Sequence, residues 1–342
     1  MQFETRSPRG ETPISIIGAG ICGVWQALAF ARAGYRVTLH ERDDGDLTTG
    51  TSHWAGGMLA PFCEAEASEP LITRLGLRSL ALWREALPET PFKGSLVVAH
   101  SRDRNDYERF ARMTSGHQRL DAQALAKLEP SLDSRFRDGL FFADEGHVEP
   151  RRVLPQLHDR LVRAGGDIRF RSSVTPDECA RESGSIVIDC RGLFARDALP
   201  QLRGVKGEMV IVETSEVSLS RPVRLIHPRW PLYIIPRDDN QFMIGATTVE
   251  REDSGVSVRS ALELLSAAYA VHPAFAEARI VEIGSGLRPA FPDNLPRISI
   301  DKQRLSVNGL YRHGFLLAPA LAELTLGYVA RGEIDNEVMQ CA

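Results

Sequence analysis

Several protein classes are excluded by what this chain lacks. Its five cysteines, Cys22, Cys63, Cys179, Cys190 and Cys341, form no CxxC pair and no metal-ligand spacing. A disulfide framework and a zinc module are therefore not expected, and a reducing, cytoplasmic setting is. No apolar run approaches the roughly 20 residues that cross a bilayer, so no membrane partner is expected. The polar segment Met1–Pro13 lacks the hydrophobic stretch of a secretory signal and reads as a frayed leader before the first strand. A net charge of −4 offers no basic field for nucleic acid. Internal repeats and low-complexity tracts are also missing. What remains, 43% apolar and 25% charged residues over 342 positions, is the composition of a globular protein of about two domains.

The most informative stretch is Ile14–Glu41. Ile14, Ile16 and Ile17 predict a buried strand that runs into Gly18, Gly20 and Gly23. A helix follows, Gly34 stops it, and Val37–His40 is a second strand closed by Glu41. In a dinucleotide fold the three glycines allow a tight turn, close approach of backbone to a pyrophosphate, and close helix–strand packing. The helix N-terminus faces the phosphates. Glu41 stands where an acid accepts hydrogen bonds from an adenosine ribose, and an acid there disfavours NADP. FAD and NAD both remain open on these residues.

Small residues in Thr51–Pro61, including Gly56 and Gly57, predict backbone passing close to a ligand. Amphipathic periodicity predicts helices over Glu69–Leu87, Asp103–Met113 and Asp121–Leu128, with strands at Ser95–Ala99 and Gly139–Phe142. Glu149-Pro150 opens another helix, followed by strands Ile168–Val174 and Ile186–Asp189 and a turn at Cys190-Arg191-Gly192. From Gly204 the texture changes to long strands: Gly207–Glu213, Val223–Ile226, Leu232–Pro236 and Gln241–Thr248. Asp238-Asp239-Asn240 marks a hairpin turn between the last two. A helix over Val258–Val271, a strand over Glu282–Pro289 and a loop leading to a helix over Ala320–Ala330 complete the reading. The fold class is thus α/β: a Rossmann-type dinucleotide-binding domain in pieces (12–61, 149–203 and 286–335), with an antiparallel-sheet substrate domain (62–148 and 204–285) interleaved.

Motifs along nearly the whole chain carry a resemblance. They are G-A-G-I-C-G (18–23), A-G-G-M-L-A-P (55–61), G-H-V-E-P-R-R (146–152), G-V-K-G-E-M (204–209), Y-I-I-P-R (233–237), I-G-A-T (244–247), G-L-R-P-A-F-P-D-N-L-P (286–296) and Y-R-H-G-F-L-L-A-P (311–319). In this order the chain resembles the D-amino-acid-oxidase-like flavoproteins, most closely their glycine-oxidase branch of thiamine biosynthesis. The resemblance implies FAD, held without a covalent link. By similarity Gly18, Gly20 and Gly23 face the pyrophosphate and Glu41 the ribose. Ala55, Gly56, Gly57 and Met58 would pass the flavin, and the Val174 backbone would meet the adenine. Gly192 is expected at the cofactor, and a loop with His313, Gly314, Phe315 and Leu316 at the flavin pyrimidine edge.

The resemblance further implies oxidation of a small amino acid, glycine above all, with O2 as acceptor and the imine feeding a thiazole-forming enzyme. Sarcosine, proline and D-amino acids are the alternative substrates, and a non-catalytic FAD module is a weaker alternative. A homo-oligomer is expected. Arg288 matches the carboxylate-binding arginine, Tyr233 a hydroxyl donor to the same carboxylate, and Arg312 a second arginine beside the site. An arginine fits the first task because its planar fork grips a carboxylate at two points. Two departures from the pattern stand out: Arg191 where small residues are usual, and Pro231 where some relatives are polar. His147, Glu149 and the acid pairs Asp43-Asp44 and Asp238-Asp239 read as turn and cap residues. Roles for His53 and His227 stay open.

Overall fold

The computed structural model describes residues 12–90, 92–132, 134–183, 185–227 and 232–341. The expected leader, up to residue 11, and Pro231 lie outside the described residues.

Two sheets organise the chain. In the first, seven strands run in the order Met339–Cys341, Arg297–Asp301, Arg304–Asn308, Ile186–Asp189, Ile14–Ile17 (β1), Val37–His40 (β2) and Asp167–Arg169. All neighbours are parallel except the hairpin Arg297–Asp301/Arg304–Asn308. β1 is buried along its whole length, as a central parallel strand covered on both faces must be. The helix Ile21–Arg32 (α1) begins directly after the glycine turn, and Gly34 at φ 87° stops it.

The second sheet has eight strands, ordered Arg279–Ala290, Arg203–Glu213, Gln241–Gly245, Leu232–Pro236, Val223–Ile226, Ser95–Ala99, Asp138–Phe142 and Gln118–Asp121. It is antiparallel apart from one parallel pair, Val223–Ile226 with Ser95–Ala99. The hairpin turn falls at the expected residues, Asp239 and Asn240 both taking positive φ.

Several elements differ from the sequence reading. The strand expected over Ile168–Val174 ends at Arg169, because Arg171 adopts φ 53° and the Ser172 N–H turns to donate to the Glu41 carbonyl at 2.7 Å. The helix Pro176–Ser183 and the strands Arg297–Asp301, Arg304–Asn308 and Met339–Cys341 are additions. Arg279–Ala290 is one continuous strand of the eight-stranded sheet. We therefore propose a domain seam after Ala290 rather than within that strand, and inclusion of Met339–Cys341 with the nucleotide sheet.

The largest difference is the last long helix, which runs Gly314–Arg331 rather than starting at Ala320. Pro319 reads as a breaker because it lacks an N–H and should orphan the carbonyl four residues earlier. Here that carbonyl, on Phe315, accepts instead from the Trp83 indole N–H at 2.8 Å, and the next N–H, on Ala320, donates to Ser79 Oγ at 3.1 Å. Side chains of the helix Pro70–Ala86 thus repair the break. With its preceding turn the helix is 21 residues and contains an 18-residue window of mean hydropathy 1.2, long and apolar enough to cross a membrane by length and composition. It was missed because the proline split the run. In the fold 61% of that window is buried, and it packs on α1 and on Pro70–Ala86 as a core helix.

Candidate active site

A cavity of about 830 Å3 runs between the two sheets, from the glycine turn after β1 to the inner face of the eight-stranded sheet. Its nucleotide end is shaped by backbone packing. Gly18 takes φ 99°, and a Cβ there would lie 2.7 Å from the Cys190 carbonyl. A Cβ on Gly23 would lie 1.8 Å from the Gly18 carbonyl. Gly20 is the residue before α1 and has no capping side chain; the Ile21 N–H instead donates to Ser52 Oγ at 3.0 Å.

Glu41 is aimed at this turn. Its carboxylate accepts from the Ala19 N–H at 2.7 Å and the Asp43 N–H at 3.1 Å, and it borders the cavity. Val174 and Gly192 also line this end, Gly192 with its carbonyl accepting from Asn308 Nδ2 at 2.9 Å. Arg191 is turned aside: Asp189 at 2.7 Å and Asp197 at 2.9 Å hold its guanidinium. An elongated cavity that begins at such a glycine turn, with an acid just after the next strand, fits an adenine dinucleotide.

Ala55, Gly56, Gly57 and Met58 line the middle of the cavity. Arg237, half-buried and lowered to about 10 by desolvation, fixes this segment from behind, donating to the Gly56 carbonyl at 2.8 Å and the Val148 carbonyl at 3.3 Å. The turn Thr51–Trp54 is laid on the strand Arg279–Ala290: Thr51 Oγ1 donates to the Leu287 carbonyl at 2.7 Å, and the Trp54 ring occupies the space above Gly284 and Gly286. A Cβ on Gly284 would lie 1.8 Å from Trp54 Cζ3. Gly284→Ala is therefore expected to lift Trp54 off the sheet. The expected readouts are an altered tryptophan emission, weaker cofactor binding and a loss of roughly 2 kcal/mol of stability, the usual cost of overpacking.

At the far end four of the expected residues meet. Arg288, Arg312, His313 and Tyr233 all line the cavity, with Gly314, Phe315 and Leu316 beside them. The expected loop at 311–317 is in fact a 3₁₀ turn, Tyr311–His313, joined to the first turn of the helix Gly314–Arg331. This brings a helix N-terminus, with its unpaired N–H groups, to the cavity. Arg288 donates to the Thr247 carbonyl at 2.9 Å and, among the described residues, has no carboxylate within ion-pair distance. Burial, and then the nearby Arg312, lower it to about 10.

Glu64 was not foreseen and sits at the centre of this end. Burial works against its charge, yet Arg312, His313, Arg224 and the Tyr233 hydroxyl together bring it down to about 2. Tyr233 donates to it at 3.1 Å and Arg312 approaches within 3.5 Å. Only its place just after the A-G-G-M-L-A-P run hinted at this, and no periodicity marks which way such a residue points. Arg224 had a readable signal, a lone arginine in the apolar strand Val223–Ile226. His53 borders Trp54, and burial lowers it. His147 pairs with Met58 in a short ladder, and burial lowers it to about 3.

His313 is buried and lowered to about 4, mainly by that burial, with Glu64 opposing and Arg312 and Arg288 adding to the effect. An unfolded histidine takes its proton near pH 6.5, whereas this one resists until about 4. Its contribution to stability is therefore complete above 6.5 and is lost as pH falls toward 4, about 3 kcal/mol in all. Urea denaturation between these pH values should show a slope shallower by nearly one proton in His313→Gln than in the parent protein.

The comparisons with known proteins agree with this geometry. Residues 14–326 match the DAO family, described as FAD dependent oxidoreductase. The Rhizobium etli protein named "Putative thiamine biosynthesis oxidoreductase ThiO" is 51% identical over 93% of this chain and 95% of its own. A bifunctional protein ThiO/ThiG of Trichormus variabilis is 25% identical over 94% of this chain and 53% of its own. The solved glycine oxidase of Geobacillus kaustophilus superposes with a TM-score of 0.78 at 24% identity, covering 94% of this chain and 95% of that one. With the glycine turn, the acid just after β2 and the long cavity already in place, the chain belongs to the DAO family of FAD-dependent oxidoreductases.

Proposed function

We propose that this protein oxidises the amine of glycine to the imine, with O2 reduced to H2O2, and that the imine serves thiazole formation in thiamine biosynthesis. The observation that carries the reading is Arg288, a half-buried cation lining the cavity that has a backbone carbonyl but, among the described residues, no carboxylate for a partner. A partly desolvated guanidinium without a counter-ion is costly, and an anionic ligand removes that cost. A substrate carboxylate gripped by Arg288 leaves Cα and the amine to lie toward Met58, Tyr233 and Glu64.

When bound, FAD supplies the acceptor for the hydride equivalent that leaves Cα. The chain's own residues have to position the substrate and exclude water. Tyr233, Ile235, Met243, Trp54 and Met58 form an apolar wall for that purpose. The residues fit the cofactor as follows: Gly18, Gly20 and Gly23 at the pyrophosphate, Glu41 at the ribose, Val174 and Gly192 at the adenine side, and Ala55–Met58 with His313–Leu316 around the flavin. No cysteine lies among the flavin-side residues, which supports a non-covalent link. The link to thiazole formation is supported by the thiamine name of the Rhizobium etli relative and by the fused ThiO/ThiG relative, where this chain matches only about half the length.

Glycine, sarcosine and D-alanine should be offered side by side to the anaerobic holoenzyme. Glycine is expected to bleach the flavin fastest and to release peroxide once air is admitted. Failure of glycine to reduce the flavin would sink the reading.

A further inference from the structure

We infer that Glu145 is a positioning residue: it fixes the turn Pro61–Glu64 so that Glu64 stays on Tyr233 and Arg312 instead of capturing Arg288. The inference rests on the proposed function only in taking Arg288 as the carboxylate site.

Glu145 is fully buried, away from the cavity, and distant in sequence from the turn it holds. Its Oε1 accepts from the Phe62 N–H at 2.8 Å and the Cys63 N–H at 2.7 Å, while Oε2 accepts from the Ser95 hydroxyl. Burial raises it to about 7 against these hydrogen bonds. Both N–H groups belong to the start of the turn, where no local side chain caps them. The carbonyl of Cys63, in the peptide that leads to Glu64, is held too: Arg224, also buried, donates to it at 2.8 Å and reaches Glu66 at 2.9 Å. Glu64 is the next residue. Its backbone is thus clamped through N–H groups on one side and a carbonyl on the other, which fixes where its carboxylate points.

That direction matters because Glu64 and Arg288 line the same end of the cavity, with Arg312 beside them. A Glu64 free to swing would pair with the unoccupied donors of Arg288 and compete with a ligand carboxylate. The clamp therefore keeps the anion of the site from filling the anion-binding group of the same site. A buried carboxylate with three donors is a costly device unless the geometry it enforces is needed.

The test is a double-mutant cycle on the holoenzyme, with acetate as the probe and flavin absorbance as the signal. Glu145→Gln is expected to weaken acetate binding about tenfold with bound FAD unchanged, and to raise the KM for glycine with kcat within about twofold. In a Glu64→Gln background, where no competing carboxylate remains, the same change should weaken acetate less than twofold. Equal effects in both backgrounds, or none in either, overturn the inference, since a purely structural role predicts additivity. Should Glu145→Gln fail to fold, Glu145→Asp, which keeps the charge but shortens the reach, carries the same cycle. Acetate binding decides the matter even if glycine proves not to be the substrate, so the two readings fail separately.

Discussion

Replacing Arg288 by alanine is expected to raise the KM for glycine at least a hundredfold while the protein keeps its FAD and its thermal stability. Two charge-assisted hydrogen bonds to a substrate carboxylate are worth about 3 kcal/mol together, or roughly 150-fold in kcat/KM. The stability half of the prediction distinguishes this arginine from a structural one. Among the described residues Arg288 donates to the Thr247 carbonyl, and no carboxylate relies on it for neutralisation. Removing a half-buried cation that has no counter-ion relieves a desolvation cost, so the melting temperature should hold or rise. Steady-state kinetics, FAD content and a melting curve on one preparation check all three parts. A variant with unchanged glycine kinetics, or one that loses its flavin, would show that Arg288 does not serve as the clamp.

Gly23→Ala should be more severe and should strike the cofactor rather than the substrate. The added methyl would meet the Gly18 carbonyl at 1.8 Å and its carbon at 3.0 Å, both backbone atoms that cannot rotate away. The N-terminus of α1 must then move off the end of β1. That separates the two groups meant to approach the pyrophosphate together. We expect the purified variant to be colourless, with FAD affinity lowered by at least a hundredfold in a fluorescence titration. By contrast Gly34→Ala, with no atom within 4 Å of the added methyl but a backbone at φ 87°, should cost about 1 kcal/mol of stability and leave FAD bound. Flavin bound at full stoichiometry in Gly23→Ala would contradict the packing argument.

What could be read from the residues alone follows the range over which each signal acts. The β1–α1–β2 unit was legible because its strands, turn glycines and stop lie within 28 consecutive residues and each obeys a local rule. The helix Val258–Val271 and the hairpin at Asp239-Asn240 were legible for the same reason. The helix Gly314–Arg331 was misread at its start because the repair of Pro319 comes from Trp83 and Ser79, more than 230 residues away. Glu64 was missed on similar grounds, since its orientation is decided by Glu145 and Arg224, which no spacing near residue 64 announces. The strands Arg297–Asp301 and Arg304–Asn308 are short and mixed in polarity, and only their place beside Ile186–Asp189 makes them part of a sheet. Tyr233, Arg288 and Arg312, which line the cavity, are candidates through motif resemblance and not through any property of the strand or turn that carries them.

The order in which the chain visits the nucleotide sheet has a consequence for its biogenesis. The strands after residue 14 enter that sheet in three separate passes, the last beginning at Arg297. α1 packs along the helix Gly314–Arg331, and Gln26 Nε2 donates to Thr325 Oγ1 across 299 residues of chain at 3.2 Å. A ribosome therefore releases the glycine turn long before the helix that covers α1 exists. Contacts of such sequence separation form slowly, and the partly made core waits with apolar surface open. Cofactor capture thus waits until the helix Gly314–Arg331 has been made and closes over α1.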